Sequence, residues 1–309
     1  MIMKGVAAAL KGAIPRRFRR ALRQLKRAFV PYRSNPQNDQ GLLSDATEMV
    51  AKLQHAGAKL SGSTVVEIGS GWVPMLPLVF RMAGAREVIT IDQERLMDRH
   101  TFRYAASFVR DELALVASRA GRELPLFDTK LLQCRPDGRL EDLCRDAGIT
   151  YLAPGDFMDM GTGIADLIVS RTVLEHVPED ALRRIFLRAA TVIRPGGLMC
   201  HWIDMSDHFE HRNKSLSRLD MLQYSDQEWS ARTRDPQDYQ NRLRRFDYVR
   251  LLAETGWEII KLTGEPNLKA LEDLRGMNLM PRYANVSPDE LSILTSMIIA
   301  RPAAERSTL

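Results

Sequence analysis

The sequence predicts an α/β fold in which a largely parallel sheet is covered by helices on both faces. Short apolar segments alternate along the 309-residue chain with longer amphipathic segments, which is the pattern of repeated strand–helix units. The apolar segments are also hydrophobic on both faces, as strands buried in a parallel sheet are. Neither an internal repeat nor a low-complexity tract interrupts the alternation, so we expect one large domain with appendages.

The predicted elements follow one another in a regular order until the last third of the chain. The predicted strands are Thr64–Ile68, Glu87–Ile91, Ile149–Leu152, Asp166–Ser170, Leu198–Ile203, Trp257–Leu262 and Leu291–Ala300. The predicted helices are Ser44–Leu60, with Ser44 as its cap, then Met75–Ala83, Glu94–Ala120, Glu179–Ile193 and Phe246–Thr255. The polar segment between the fifth strand and the last helix is too long for a simple crossover, and such connections are typically lids or binding loops. We therefore predict an insertion over residues 204–245.

The positive charge of the chain is concentrated at its beginning. Residues 1–32 hold nine Lys or Arg and no acid, which leaves 35 basic against 39 acidic residues in the remainder. An enzyme of nucleic acid usually spreads a basic footprint around its site. No Asn/Asp-Pro-Pro-Tyr/Phe sequence follows the fourth predicted strand either. Both observations argue against a nucleic-acid partner.

A basic amphipathic helix is predicted near the N-terminus, between Pro15 and Pro31. Its apolar stripe consists of Phe18, Leu22, Leu25 and Phe29, with arginines around it. Such a helix is typical of segments that bind an anionic membrane surface or a partner. Two alternatives remain open: packing of the stripe on the body of the protein, and an organellar targeting peptide, although the segment is poor in serine.

The predicted domain organisation follows from these segments. Residues 1–40 form the basic helix and a polar linker at Arg33–Gly41, residues 41–303 form the main domain, and residues 304–309 form a tail. No apolar run is long enough to span a bilayer, and no secretory signal is visible. Three cysteines without a CxxC pair fit a reducing compartment. We expect a cytoplasmic protein, attached peripherally to the inner face of the membrane if residues 15–30 bind lipid.

The sequence "VVEIGSG", which ends at Gly71, predicts a strand followed by a nucleotide-binding loop. Glycines at 69 and 71 allow a sharp turn and a close approach of the backbone to a ligand. Asp92 follows the next strand, 23 residues after Gly69, where a carboxylate can accept hydrogen bonds from both hydroxyls of a ribose. Together these features predict a site for an adenosine-containing ligand.

Two departures from a dinucleotide loop select the kind of nucleotide. Pro74 stands where a third glycine would allow a helix to approach a pyrophosphate, which also argues against an NAD-dependent oxidoreductase. Glu67 precedes the glycines, where a carboxylate would repel a phosphate and suit a cationic ligand. S-adenosylmethionine is a cationic adenosine without phosphate, so we expect it as the ligand.

With these motifs in place, the sequence resembles the class I SAM-dependent methyltransferases from about Ser44 to Pro302. The resemblance is carried by five segments in the family's order: "VVEIGSG", "ITIDQ", "YLAPGDFMDM", "ADLIVSRTVLEHVPED" and "IRPGGLMCHWID". It implies a Rossmann-like class I methyltransferase fold with a seven-stranded, mostly parallel sheet. The chain departs from the family in lacking the third loop glycine and in carrying "WVPMLP" at that place.

The resemblance also implies which residues bind the cofactor. In the family the loop glycines wrap the methionine part, the acid of the second motif holds the ribose, and the third motif lies beside the adenine. Carried onto this sequence, the cofactor-binding residues are Glu67, Gly69, Ser70, Gly71, Asp92, Gln93, Asp156, Phe157, Ser170 and Arg171. A weaker resemblance to methyltransferases encoded among bacterial glycan and surface-polysaccharide genes implies a sugar or glycolipid acceptor.

The acceptor is expected beyond the carboxyl ends of the fourth and fifth strands, where ligands bind in open α/β sheets. His176 is the first candidate for a general base, because imidazole titrates near neutral pH; alternatively, it fixes the turn after the strand. Asp204 and His208 are interpreted as polar residues that face the acceptor, and His201 as a core residue. No helix-spaced HxxxH or carboxylate triad is present, so no metal site is predicted.

The predicted insertion supplies further acceptor candidates. Its aromatic residues, together with Trp202, offer flat surfaces for sugar rings, or else anchor the insertion to the body. Its arginines offer positive charge for an acidic acceptor. The aromatic candidates are Trp202, Tyr224, Trp229 and Tyr239, and the basic ones are Arg242, Arg244 and Arg245.

The function predicted from the sequence is SAM-dependent transfer of a methyl group to a small-molecule or glycan acceptor, at an oxygen atom. The alternative is a non-catalytic SAM-binding adaptor with the same fold. The set Glu67, Gly69, Gly71, Asp92 and Asp156 is intact, whereas a protein that no longer binds cofactor would be expected to lose part of it. The catalytic interpretation is therefore preferred.

Overall fold

The computed structural model describes residues 35–119, 132–133, 138–234 and 238–304. The predicted basic helix at residues 15–30 and the tail after residue 304 lie outside the described residues. Within the described ranges, none of the helices combines the length and apolar character needed to cross a bilayer.

A seven-stranded sheet forms the centre of the molecule, with strand order β3-β2-β1-β4-β5-β7-β6. The strands β1 to β5 run parallel to one another, and β7 lies antiparallel between β5 and β6. This arrangement confirms the predicted Rossmann-like class I fold. The strands are β1 (Thr64–Ile68), β2 (Glu87–Ile91), β3 (Ile149–Leu152), β4 (Ala165–Arg171), β5 (Ile193–Asp204), β6 (Trp257–Leu262) and β7 (Thr295–Pro302).

Helices cover both faces of the sheet and fill the longer connections. In chain order they are α1 (Pro36–His55), α2 (Met75–Met82), α3 (Arg99–Arg119), α4 (Leu140–Asp146), α5 (Glu179–Val192), α6 (Asp226–Arg232), α7 (Arg245–Glu254), α8 (Leu268–Leu274) and α9 (Pro288–Ser292). Short 3₁₀ turns at Phe157–Asp159, Leu174–His176, Asp220–Gln223 and Pro281–Tyr283 complete the described elements.

The first described helix corrects the prediction of a linker at Arg33–Gly41. Asn35 caps α1, because its side-chain oxygen accepts a hydrogen bond from the Gln37 N–H at 3.2 Å, and Pro36 occupies the first helical position. A capping Asn followed by Pro is a strong start signal for a helix. The helix therefore begins eight residues before the predicted Ser44 cap, and it ends at His55 rather than Leu60.

Two other boundaries differ for local reasons. Asp98 accepts hydrogen bonds from the N–H groups of His100 (2.7 Å) and Thr101 (2.9 Å), so α3 begins at Arg99 and not at Glu94. The apolar run predicted as the last strand is divided. Its first residue, Leu291, lies in α9, and the strand itself starts at Thr295.

The two faces of the sheet bury separate hydrophobic cores. Helices α1 to α4 pack on one face, where Leu43, Phe80 and Phe102 are fully buried. Helices α5 and α7 pack on the other, around Phe186 and Leu251. Burial of such side chains contributes about 1.5–3 kcal/mol each relative to exposure, and it fixes the carboxyl ends of the strands, where the loops diverge.

A third hydrophobic cluster lies outside the sheet and joins two distant segments. The segment 205–244, which contains α6, contributes Met221 and Trp229, while the segment 264–294, which contains α8 and α9, contributes Tyr283 and Leu291. Arg244 strengthens the junction by donating to the carbonyl oxygen of Leu291 at 2.7 Å. We call these two segments the cap. The predicted insertion is thus one half of a small packed unit.

Candidate active site

The glycine loop after β1 adopts a conformation that only glycine tolerates easily. Gly69 and Gly71 have φ values of +85° and +60°, in the left-handed region. A Cβ atom on Gly69 would collide with the side chain of Val173, which follows β4. The Gly69 N–H donates to the carbonyl oxygen of Ile91 at 2.7 Å. The loop is therefore held against the ends of β2 and β4.

Asp92 lies directly beside this loop at the end of β2. Its Oδ2 atom accepts a hydrogen bond from the Gly71 N–H at 3.1 Å, and its Oδ1 atom accepts one from the Glu94 N–H at 2.9 Å. The Gly155 N–H, after β3, donates to the Asp92 carbonyl oxygen at 2.9 Å. These hydrogen bonds fix the position of the carboxylate, and a carboxylate oxygen can accept more than one hydrogen bond, so Asp92 is suited to accept from ribose hydroxyls.

Glu67 lies in β1 and is linked through Thr90 to Ser70. The Thr90 hydroxyl is in hydrogen-bond contact with the Glu67 carboxyl group and lies 2.6 Å from the Ser70 Oγ atom. Thr90 has a single hydroxyl hydrogen for two oxygen neighbours. When Glu67 is protonated, it can donate to Thr90, and Thr90 can donate to Ser70. When Glu67 is ionised, Thr90 donates to Glu67, and the Ser70 hydroxyl donates to Thr90. Only the first arrangement leaves the Ser70 O–H able to donate to a ligand.

The state of Glu67 corrects the expectation of a negative charge facing a cationic ligand. Glu67 is 3% exposed, and burial, opposed by the Thr90 hydrogen bond and assisted by the charge of Asp92, raises its pKa to about 8. At neutral pH the side chain is therefore mainly neutral. The negative charge beside the loop belongs to Asp92.

The third motif contributes differently from what the resemblance implied. Asp156 is exposed and accepts a hydrogen bond from the Met158 N–H at 2.9 Å, so its second oxygen remains at the surface of the site. The Phe157 ring is 4% exposed and packs in the core on the α5 side of the sheet. Gln93 is exposed next to Asp92. Asp156 and Gln93 are thus accessible after β3 and β2, whereas the Phe157 ring is part of the core.

Ser170 and Arg171 end β4, but their side chains point to neighbours within the protein. The Ser170 Oγ atom lies 2.8 Å from His201 Nδ1, in a buried pair between β4 and β5. This confirms His201 as a core residue, and burial lowers its pKa to about 4. Arg171 forms an ion pair with Asp45 of α1 at 2.7 Å. Both predicted cofactor residues therefore stabilise the walls of the site.

A polar cluster lies beyond the carboxyl ends of β4 and β5. One ligand-capable atom from each of Glu175, His176 and His208 lies within 4.8 Å of the others. Glu175 is 2% exposed, and neither carboxyl oxygen has a hydrogen-bond partner among the described residues. Burial, assisted by the nearby charge of Asp204, raises the Glu175 pKa to about 8. We call Glu175, His176 and His208 the polar cluster.

The His176 ring is held in one tautomer. Its Nδ1 atom lies 2.8 Å from the carbonyl oxygen of Tyr239. A carbonyl oxygen only accepts, so Nδ1 carries the hydrogen and Nε2 keeps an unshared lone pair. Burial, with the neighbouring His208 as a smaller contribution, lowers the His176 pKa, and the ring is neutral at pH 7.

Asp204 ends β5 beside the polar cluster. Its Oδ1 atom accepts a hydrogen bond from the Ser206 N–H at 2.9 Å, and its Oδ2 atom lies 3.5 Å from His208 Nε2. That contact is electrostatic, because it does not meet hydrogen-bond geometry. Burial opposes ionisation of Asp204, but the contacts with His208 and Ser206 outweigh it and lower the pKa to about 2. Asp204 thus supplies a permanent negative charge.

The comparisons with known proteins agree with this geometry. Residues 18–262 match a family model described as a methyltransferase domain, which is most of the chain. The chain belongs to this methyltransferase family. The enzyme is therefore a SAM-dependent methyltransferase of class I, with S-adenosylmethionine as its cofactor. The comparison with curated proteins gave no match.

Solved structures similar to the methyltransferase are distant in sequence. A magnesium protoporphyrin IX methyltransferase from Synechocystis is 13% identical, with a TM-score of 0.46, and the alignment covers 92% of this chain and 94% of that one. A SAM-dependent methyltransferase from Mesorhizobium loti is 14% identical (TM-score 0.43, coverage 81% and 95%). One from Methanosarcina mazei is 17% identical (TM-score 0.45, coverage 82% and 98%). The assignment therefore rests on the family match.

Three consecutive residues of the methyltransferase, Tyr239–Asn241, connect His208 with the turn that carries Glu175 and His176. Besides the Tyr239 contact with His176, the Gln240 side chain accepts from the His208 N–H at 2.9 Å and donates to the Ser206 carbonyl oxygen at 2.9 Å. Asn241 Nδ2 donates to the carbonyl oxygens of Leu174 (2.8 Å) and Val177 (2.9 Å). We call Tyr239–Asn241 the bridge segment. The sequence carried no signal for it beyond its polar composition.

The arginines predicted to attract an acidic acceptor instead bind groups within the methyltransferase, so that prediction is wrong. Arg242 is 4% exposed and Arg244 is fully buried. A buried guanidinium needs acceptors for its five N–H donors, and here backbone carbonyl oxygens supply most of them. The partners are Met221, Tyr224 and Asp226 for Arg242, then Met205, Leu291 and Ile293 for Arg244, and Glu290 for Arg245.

Two of the aromatic candidates anchor the cap. The Trp229 ring is 4% exposed, and its Nε1–H donates to the Gln240 carbonyl oxygen at 2.8 Å. Tyr224 packs against Trp229, with 6.1 Å between ring centroids, and its hydroxyl donates to Asp220 at 2.8 Å. Both are therefore structural. Trp202 differs, because it is half-buried at the wall of a cavity.

That cavity has a volume of about 410 Å³ and opens between α1 and the strands β5, β6 and β7. Its wall contains Trp202, and Thr295, which pairs with Asp204 in the sheet. Charged side chains of both signs complete the lining: Glu48, Lys52, Lys261 and Glu265. The cavity thus adjoins the strand end that carries Asp204, and its volume lies in the range of small-molecule sites.

Proposed function

We propose that the methyltransferase methylates a hydroxyl oxygen of a small-molecule or glycan acceptor. The observation that carries the proposal is the His176 ring, which belongs to the polar cluster and whose Nδ1–H donates to the Tyr239 carbonyl oxygen, so that Nε2 is the atom able to accept a proton. A sulfonium methyl group is transferred by in-line displacement, and a hydroxyl nucleophile requires a base to accept its proton.

The acceptor oxygen forms a bond to the methyl carbon while the bond from that carbon to the sulfonium sulfur breaks. The hydroxyl proton moves to His176 Nε2, and S-adenosylhomocysteine leaves. Asp204, ionised beside His208 at 3.5 Å, stabilises positive charge on the imidazoles as the proton arrives. His208 completes the polar cluster on the side of the cap.

The lining of the cavity supports a polar acceptor. Trp202 offers an aromatic surface of the kind on which sugar rings stack, and Lys52, Lys261 and Glu265 offer partners for hydroxyl or acidic groups. A saccharide or a polar small molecule matches such a wall better than a wholly apolar ligand. The cap, which packs beside the site, would then cover the acceptor as a lid.

We also propose that residues 15–30 attach the enzyme to anionic membrane. The basic amphipathic pattern of these residues supports this proposal. A glycolipid acceptor would be presented at the same surface.

The decisive experiment measures transfer of a radiolabelled methyl group from S-adenosylmethionine to lysate fractions separated into lipids, glycans and small metabolites. Once a fraction is labelled, His176→Ala is expected to reduce kcat by about 10²-fold or more, the usual contribution of a general base. The affinity for S-adenosylmethionine, measured by calorimetry, should stay near the wild-type value, because His176 does not line the glycine loop.

His100→Ala serves as the matched control, since His100 is exposed at the start of α3 and should leave turnover unchanged. If His176→Ala has the turnover of the wild type, His176 is not the general base. Labelling only of amine or thiol acceptors would exclude O-methylation.

A further inference from the structure

Glu175 is unusual among the buried acids of the described residues. Both of its carboxyl oxygens are shielded from solvent, and neither makes a hydrogen bond of good geometry with the residues that the structure describes, although the backbone N–H groups of Glu175 and Asp204 are near enough to lower its pKa against the larger effect of burial. The backbone of Glu175 is fixed, because its carbonyl oxygen accepts a hydrogen bond from the Asn241 N–H at 2.8 Å. A buried polar group left without partners costs about 1–3 kcal/mol, and more when it is charged. Such a group is retained when it binds something, and proton transfer by His176 does not require it.

We propose that Glu175, His176 and His208 bind a divalent transition-metal ion. Two observations support the site independently. The three ligand atoms lie within 4.8 Å of one another, which a small closure brings to the separations found around one ion with bonds of about 2.0–2.2 Å. The two oxygens of Glu175 and the Nε2 atom of His208 are buried and make no hydrogen bond of good geometry within the described residues, although His208 Nε2 lies 3.5 Å from Asp204 Oδ2.

The surroundings of these side chains resemble the supporting shell of a metal site. Histidine ligands usually donate their second ring N–H to a carbonyl or carboxylate, which fixes the tautomer and the orientation of the ring. His176 does this through Nδ1 to Tyr239. The bridge segment also fixes His208, whose backbone N–H donates to Gln240 at 2.9 Å. Both histidines are therefore oriented before an ion arrives.

The donor set indicates the class of ion. Two imidazole nitrogens and one carboxylate favour Mn²⁺, Fe²⁺, Co²⁺ or Zn²⁺ over Mg²⁺ and Ca²⁺, which prefer oxygen ligands. Asp204 lies beside His208 and adds negative charge, while the nearby guanidinium of Arg171 is engaged with Asp45. Three protein ligands leave coordination positions open, as in catalytic rather than structural sites.

The role of the ion rests on the proposed function, but its binding does not. A bound ion would occupy His176 Nε2, so the imidazole and the ion are alternative means of activating the acceptor. With the ion present, an acceptor hydroxyl at an open coordination position loses its proton more readily because the ion stabilises the alkoxide. The proton then passes to solvent rather than to His176.

The test is calorimetric titration of the full-length, metal-free protein with Mn²⁺, Co²⁺ and Zn²⁺, with the electronic spectrum of Co²⁺ as a second readout. One ion per chain is expected. Glu175→Gln, which keeps the shape of the side chain, should weaken binding by at least about 10-fold, as should His208→Ala. Glu179→Gln and His100→Ala are matched controls, because Glu179 lies on the exposed surface of α5 and pairs with Arg250.

Absence of one-to-one binding, or equal binding by Glu175→Gln and Glu179→Gln, would overturn the proposal. Circular dichroism shows whether each variant is folded; if Glu175→Gln is not, His208→Ala decides. The two proposals fail separately. Stoichiometric binding without any methylated hydroxyl removes only the proposed function. Full O-methylation by a protein that binds no ion removes only the metal site.

Discussion

At the scale of single residues, Glu67 shows how a sheet can hold an acid in its neutral form. The carboxyl group lies inside β1, in hydrogen-bond contact with Thr90, and burial raises its pKa to about 8. Thr90 also lies 2.6 Å from the Ser70 Oγ atom, so hydrogen bonds connect Glu67 with the glycine loop. The ionisation of Glu67 sets their direction, because only a protonated carboxyl group can donate to Thr90.

Because the pKa of Glu67 is raised in the folded protein, the free energy of unfolding depends on pH. The unfolded chain releases the Glu67 proton above its ordinary pKa of 4.5, whereas the folded protein keeps it until about pH 8. Protonated Glu67 contributes to the free energy of unfolding. This contribution is fully present below pH 4.5 and is lost as the pH rises through 8, by about 1.4 kcal/mol per pH unit at most. We expect Glu67→Gln, which cannot ionise, to lose less stability than the wild type between pH 5 and pH 8 in urea unfolding.

Glu87→Gln is the control, because Glu87 lies at the opposite end of the neighbouring strand, with its Oε1 atom 3.0 Å from the Thr150 hydroxyl. It should follow the wild-type curve. Parallel curves for the wild type and Glu67→Gln would show that Glu67 ionises at its ordinary pKa in the folded protein.

The sequence predicts the residues whose role depends on local backbone geometry. Gly69 and Asp92 could be placed because a sharp turn needs glycine and because parallel strands end at one edge of the sheet. The ionisation state of Glu67 could not, since it depends on burial by distant residues. Glu175 and His208 could be placed at the ends of neighbouring strands, but their close contact could not be predicted, because they are far apart in sequence and no fixed spacing links them.

At the scale of elements, the bridge segment controls the turn that carries Glu175 and His176. Asn241 donates to the carbonyl oxygens of Leu174 and Val177 at either end of that turn. These bonds connect the cap to the end of β4. The position of the polar cluster therefore depends on an element that touches neither the cofactor loop nor the sheet.

We expect Asn241→Ala to lower kcat by about 10-fold or more while leaving the affinity for S-adenosylmethionine unchanged. The reason is that a displacement of about 1 Å in a catalytic group can cost about 10²-fold in rate. Separate measurements of kcat and of cofactor affinity check this. Asn213→Ala, in an exposed turn of the cap, should be neutral. A uniform loss of affinity and rate in Asn241→Ala would indicate general unfolding instead.

Element boundaries were predictable where the apolar pattern ends sharply. The strands β1, β2, β3 and β6 have the predicted bounds, because polar residues, glycine or, after β3, the Ala153-Pro154 pair flank each apolar run. The start of α1 was missed, since the capping Asn35 lies in a segment whose composition suggests a linker. The run before β7 was misassigned because its first residues are apolar for a different reason: Leu291 and Leu294 fill the core of the cap.

At the scale of the whole molecule, charge is divided between the N-terminal segment and the remainder. Deleting residues 1–32 removes nine basic residues and changes the balance to 35 basic against 39 acidic residues. A basic residue near an anionic surface contributes about 1 kcal/mol to binding at low ionic strength. We expect the full chain to sediment with phosphatidylserine vesicles at low salt and the truncated chain to remain in solution.

Vesicles of neutral phosphatidylcholine are the control and should retain neither protein. Equal sedimentation of the full and truncated chains with anionic vesicles would contradict membrane attachment through this segment. The catalytic activity of the truncated chain on a soluble acceptor should match that of the full chain, because the described residues contain the whole polar cluster.

The overall architecture was the most predictable property, since seven apolar strands and their intervening helices leave few arrangements of a sheet. The cap was the least predictable, because its core is formed by residues 205–244 and 264–294 together. Neither segment has an apolar pattern from which its packing against the other segment could be predicted.

This shared core restricts how the enzyme can acquire a new acceptor. Trp229 from one segment and Tyr283 from the other are buried in the same cluster, so replacing either segment alone leaves an incomplete interior. A chimera with a related enzyme would have to exchange both segments at once, with β6 kept between them. Among related enzymes, substitutions in the segment before β6 should therefore be accompanied by substitutions in the segment after it, while the sheet and the glycine loop stay the same.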